Sequence, residues 1–123
     1  MAPRMRIVER RIGDVTILQL IGRLELETGD LILRDTINRL VDEGQVKLVL
    51  DMKDVTRLDS AGIGMLVSKY LTARRAGGTI KFLHPNERTD HLMDITKLTT
   101  VFEIYDDEES AVKSFGGASI HGV

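Results

Sequence analysis

Apolar positions along this chain repeat in two periods, one near 2 and one near 3.6, and the runs end at glycine, proline or aspartate. Arg6 to Ile12 mixes polar and apolar residues and reads as an edge strand. Gly13-Asp14 is a turn pair, and Val15 to Ile21, rich in β-branched residues, completes a predicted hairpin. Leu33, Ile37, Leu40 and Val41 then fall on one helical face, with Thr28 placed to cap that helix and Gly44 to end it. Val46 to Leu50 is nearly continuous in apolar residues, as in a strand buried on both faces. Asp51 to Arg57 has no clear period and reads as a loop.

A second helix is marked by Ile63, Leu66, Val67, Tyr70 and Ala73. Arg74-Arg75 complements its C-terminal dipole and Gly77-Gly78 stops it. Thr79 to Leu83 alternates like a strand and halts before Pro85. Asn86 is placed to cap a short helix carrying Leu92 and Met93, and Val101 to Tyr105 reads as a last strand. Asp106 or Asp107 caps a final helix through Ala111, Val112 and Phe115, and 116–123 is expected to be a flexible tail. The order β-β-α-β-α-β-α-β-α predicts one α/β domain over residues 1–115, a mixed and mostly parallel sheet packed by about four helices.

Composition narrows the function classes. A chain of 123 residues with 42% apolar residues can bury an ordinary core without staples. A formal net charge of −2 and 4% aromatic residues supply neither the basic surface nor the stacking platforms of direct nucleic-acid binding. Arg4, Arg6, Arg10 and Arg11 read as a charged strand edge that discourages aggregation. The apolar runs fall far short of the roughly 20 residues of a membrane span, and the first residues lack the apolar core of a secretory signal. The absence of cysteine excludes disulfides and thiolate metal sites, and suits a cytoplasmic location.

The candidate chemistry concentrates at Leu58-Asp59-Ser60-Ala61-Gly62-Ile63-Gly64, where a loop gives way to a helix. A nucleophile elbow requires Gly-x-Ser-x-Gly, and Leu58 stands where the first glycine belongs. His84, His91 and His121 lie in no triad-like pattern, and the spacing of His84 and His91 across Pro85 is not that of a metal site. No P-loop is present, and Gly62-x-Gly64 lacks the third glycine of a dinucleotide fingerprint. No catalytic residue, metal or cofactor is therefore assigned. Two readings of Ser60 stay open from spacing alone. Either Asp59 or Ser60 is an N-cap, with Gly62 and Gly64 admitting close helix–strand packing, or Ser60 accepts a phosphate at a helix start.

The residues Gly22-Arg23-Leu24, Thr28, Leu48-Val49-Leu50-Asp51, Asp59 to Gly64, Gly77-Gly78 and Met93 to Leu98 together resemble a STAS domain of the stand-alone anti-sigma factor antagonist kind. The resemblance runs from about Ile7 to Phe115. It implies that Ser60 is phosphorylated by a partner that is both anti-sigma factor and serine kinase, and that a PP2C-type phosphatase reverses this. It further implies that the unphosphorylated chain binds this partner and frees a sigma factor, so that the chain is substrate and ligand rather than enzyme. The implied partner surface comprises Gly22, Arg23, Leu24, Glu25 and Thr28, with Asp59, Ser60, Ala61, Gly62, Ile63 and Gly64 from the helix start. Glu25 replaces the usual aspartate of the corner, and Lys97 stands where relatives often carry glycine. The same resemblance admits an alternative, a soluble STAS subunit regulating a transporter, a lipid-transport complex or a stress-sensing assembly. The sequence sets no oligomeric state.

Overall fold

The computed structural model describes residues 5–121, with side chains through Gly116. Strands β1 (Arg6–Ile12) and β2 (Val15–Leu24) form the predicted antiparallel hairpin, with Ile12 facing Val15 at the turn and Arg6 facing Ile21 at the open end. Helix α1 (Asp30–Asp42) crosses to β3 (Lys47–Asp51), which lies parallel to β2. A short strand β4 (Val55–Leu58) leads into α2 (Ser60–Arg75), and β5 (Thr79–Leu83) returns parallel to β3. Helix α3 (Glu87–Ile95), a two-residue strand β6 (Ile104–Tyr105) and α4 (Glu108–His121) complete the described chain. The main sheet order is β1-β2-β3-β5-β6, with β4 attached to β2.

Alternation along the strands divides the core in two. Leu18, Leu20, Leu48, Leu50, Ile80 and Phe82 face one side, where they meet Leu33, Ile37 and Leu40 of α1, Leu66 and Ala73 of α2, and Met93 of α3. Val15, Ile17, Val49 and Leu83 face the other side and are covered by Ala111, Val112 and Phe115 of α4. The apolar run of β3 is continuous because both of its faces are buried. Lys69 interrupts the apolar face of α2, and its ammonium is satisfied by Asn38 Oδ1 of α1 at 2.7 Å.

Four local expectations change. Thr28 does not cap α1; Gly29 is the N-cap residue, at φ 102, with no side-chain capping bond, and the Leu31 N–H instead donates to Asp30 Oδ1 at 2.8 Å. The backbone of Thr28 is already committed, exchanging hydrogen bonds of 2.7 and 2.8 Å with Glu25 across the Leu26-Glu27 turn. The predicted loop at 51–57 contains β4. There β2 bulges between Gly22 and Arg23, leaves β3 and pairs its last residues with Val55 to Leu58. The last strand is shorter than predicted, since Leu98–Thr100 forms a 3-10 turn and Phe102 folds back to stack on Phe82 with ring centroids 4.4 Å apart. Finally, α4 continues past Phe115 through Gly116-Gly117 to His121; glycines extend a nucleated helix weakly but do not block it. Of the predicted tail, residues 122 and 123 lie outside the described residues.

At two helix starts the capping residue is shown by geometry, as expected for Asn86 and as a choice between Asp106 and Asp107 for α4. Asn86 accepts from the Thr89 N–H at 3.0 Å, and Asp107, not Asp106, accepts from Ser110 N–H at 2.8 Å. Lys97, after α3, has φ 64, in the left-handed region. Glycine adopts that conformation without the Cβ penalty of roughly 1–2 kcal/mol, but loses more backbone entropy on folding. Lys97→Gly is therefore expected to raise stability by about 0.5–1 kcal/mol, read as a higher urea midpoint at unchanged slope.

Candidate functional site

Ser60 is the first residue of α2, delivered by β4 to the edge of the sheet where β2 and β3 also end. The short β4 is pinned from two directions. The Asn86 side-chain amide donates to the carbonyls of Met52, Lys53 and Val55 at 3.1, 3.3 and 2.9 Å, and the Arg88 guanidinium donates to the Thr56 carbonyl. Gln19 Nε2 meets Asp54 Oδ2 at 2.8 Å, and the Gly22 N–H bonds the Asp54 carbonyl at 3.0 Å. The segment before Ser60 is thus held by β2 on one side and by the start of α3 on the other.

Asp59 is the N-cap, which decides between the two capping candidates. Its Oδ1 accepts from the Gly62 N–H at 2.9 Å. Its second oxygen does other work: Oδ2 accepts from the Leu26 N–H at 3.1 Å. One carboxylate therefore ties the Leu26-Glu27 turn to the start of α2. Burial pushes the Asp59 carboxyl up, but N–H donation from Gly62, Leu26 and Ala61 together outweighs it and holds the group below the ordinary carboxylate range.

The two glycines of the motif have different environments. A Cβ on Gly62 would stand 2.1 Å from the Leu24 carbonyl oxygen and 2.9 Å from Leu58 Cδ1, so α2 and β2 touch there only because that atom is missing. A Cβ on Gly64 would meet nothing within 4 Å. The expectation that both glycines serve close packing therefore holds for Gly62 and fails for Gly64.

The remaining motif residues gather around this point. Gly22 and Leu24 are buried beneath the surface, and Ile63 is half-buried against the core. Glu25 is engaged by two arginines, with Arg57 Nε at 3.1 Å and Arg23 Nε at 3.8 Å. Thr28 closes the turn through its backbone. Ser60 and Gly64 are exposed, and the Ser60 hydroxyl makes no hydrogen bond among the described residues. A nucleophilic serine would be paired with a base; His84 instead pairs with Asp51 Oδ1 at 3.3 Å. An open depression of about 320 Å³ beside Asp59 is lined by Glu25, Arg57, Leu58, Arg88 and Leu92. Leu26, within the Gly22 to Thr28 loop that the resemblance implies, was not singled out by sequence and is 64% exposed at the tip of the turn.

Two outcomes follow from this geometry. Gly62→Ala is expected to destabilise the fold by about 1–3 kcal/mol, because the Leu24 carbonyl is backbone and cannot swing away; a lowered urea midpoint checks it. The depressed Asp59 carboxyl binds fewer protons folded than unfolded. Its contribution is thus full above the ordinary carboxylate value and is lost as pH falls through the depressed one. Asp59→Asn, which keeps a capping side chain without the charge, is expected to narrow the gap between urea midpoints at about pH 7 and about pH 3.

Comparison with known proteins agrees with the fold. The family model for the STAS domain matches residues 6–111. The chain is 32% identical over 82 residues to the anti-sigma-B factor antagonist of Bacillus subtilis, covering 67% of this chain and 74% of that protein. Among solved structures, an anti-sigma factor antagonist from Mycobacterium paratuberculosis superposes with a TM-score of 0.80 at 19% identity, over 93% of this chain and 97% of that one. The anti-sigma factor antagonist SpoIIAA in its unphosphorylated form gives 0.77 at 17% identity, over 91% and 97%. Its phosphorylated form gives 0.69 at 15% identity, over 89% and 99%. With a family model spanning all six strands and helices α1 to α3, the chain belongs to the STAS domain family.

Proposed function

We propose that this chain is an anti-sigma factor antagonist switched by phosphorylation of Ser60. The observation that carries the reading is the free, exposed Ser60 hydroxyl at the start of α2, held beside the Leu26 turn by a single carboxylate. In this reading the unphosphorylated face binds an anti-sigma factor that is also a serine kinase, and the sigma factor is released. The kinase supplies ATP and Mg²⁺ and transfers the γ-phosphoryl group to Ser60 Oγ, which gives up its proton; a PP2C-type phosphatase hydrolyses the ester again. The chain is substrate and ligand in this cycle, not the catalyst. The cycle belongs to the cytoplasm, and no described helix is long and apolar enough to cross a membrane.

The site explains how one phosphate could change binding without refolding the domain. The helix-start donor at Gly62 is already taken by Asp59, so a phosphate on Ser60 is not absorbed there. It adds roughly −1.5 to −2 charges next to a carboxylate kept ionised by its own hydrogen bonds. The added charge therefore stays at the surface, where a docked partner must desolvate it or withdraw.

The deciding experiment incubates the chain with purified histidine-kinase-like anti-sigma factors from its source and ATP. Mass spectrometry is expected to locate phosphate on Ser60. Ser60→Ala is expected to bind the labelling kinase persistently in the presence of ATP. Ser60→Asp is expected to bind it at least about tenfold more weakly, about 1.4 kcal/mol, by calorimetry. Equal affinities for Ser60→Asp and wild type would end the switch reading.

A further inference from the structure

Gly64 is a glycine that the fold itself does not use. It lies in α2, one turn beyond Ser60, with no positive φ and with open space where a Cβ would be. Glycine at an exposed helical position is less stable than alanine, because it gives up more backbone freedom on folding. Gly62 and Gly78 are different: a Cβ there would lie 2.1 and 1.9 Å from backbone oxygens. At Gly64 the chain forgoes stability for no gain inside the molecule. The residue is four positions after Ser60, and so shares its helix face.

Leu26, on the turn that Asp59 ties to the start of α2, shows a second local cost. It is 64% exposed, on a turn where Glu27 has φ 59, and its N–H is held by Asp59 Oδ2 at 3.1 Å. The backbone that carries this exposed apolar side chain is held in place by that bond. An exposed hydroxyl thus shares its helix face with bare backbone one turn on, and the turn tied to that helix start carries an exposed apolar side chain.

We infer that Gly64 is a clearance residue: it lets the main chain of the anti-sigma factor kinase lie directly against α2, while Leu26 seats in an apolar pocket of the same partner. This rests on the reading of Ser60 as phosphoacceptor, and names what sets the approach to it. A phosphoryl donor must come within bonding distance of Ser60 Oγ, and a side chain at position 64 would hold the partner's backbone away from that face. The occupant is the kinase rather than a second copy of this chain, because the free hydroxyl on this face is the group that a kinase must reach.

The test uses the kinase that labels Ser60 in the panel above, with intact chains. Gly64→Ala is expected to melt higher than wild type and yet bind this kinase at least about tenfold more weakly, with slower phosphorylation of Ser60. Leu26→Ala is expected to weaken binding similarly with no loss of melting temperature, since little of its side chain is buried. Gly64→Ala that binds within about twofold of wild type, while Ser60→Asp does not bind, would overturn the clearance role and leave the switch standing. Self-association of the wild-type chain that Gly64→Ala abolishes, seen by sedimentation, would assign the face to a second copy and overturn it as well. Failure of the wild type to bind or be phosphorylated by any panel member would remove both readings.

Discussion

The contact between Gly62 and the Leu24 carbonyl is the constraint around which this end of the domain is arranged. Removing one Cβ lets the first turn of α2 press against the end of β2, and Asp59 then reaches both the Gly62 and Leu26 N–H groups. The β2 bulge, the β4 pairing and the Leu26 turn all converge on this contact. A rigid helix start, a fixed turn and an exposed serine are consequences of one close backbone approach.

The rest of the fold supplies the base for that contact. Parallel strands β2, β3 and β5, buried on both faces, place their carboxyl ends along one edge, and Ser60 emerges beside it. Helices α1 and α2 pack side by side, joined through Lys69 and Asn38, so the Leu26 turn and the Ser60 helix start cannot easily move apart. Asn86 extends the support to α3 by bonding three carbonyls of the β3–β4 connection while capping its own helix. A site whose business is to be recognised in one geometry gains from such rigidity, because little ordering is left to be lost on binding.

This arrangement separates two jobs that a motif can conflate. Asp59 and Gly62 hold the site together and are committed within the domain, whereas Ser60, Gly64 and Leu26 face outward with nothing of the domain to satisfy. The Glu25 carboxylate sits between Arg57 and Arg23 and is itself paired within the domain. Lys97 shows the same division in the scaffold. Its left-handed backbone is a conformation that glycine adopts more readily, a property of the scaffold alone.

Much of this protein was determined by its sequence alone. Periodicity located the hairpin, α1, β3, α2 and β5, because each buries a face whose residues recur at the spacing of its own backbone geometry. The Asp59-Ser60 pair and its glycines were legible as a helix start for the same local reason. Tertiary structure decided what depends on distant partners. The strand β4 exists because β2 bulges toward it, Thr28 yields the cap because its backbone is spent on Glu25, and Phe102 leaves its strand to stack on Phe82. The distinction between Gly62 and Gly64 is the clearest case. Both read alike in the chain, and only the position of the Leu24 carbonyl shows that one glycine is required inside the fold and the other is free to serve outside it.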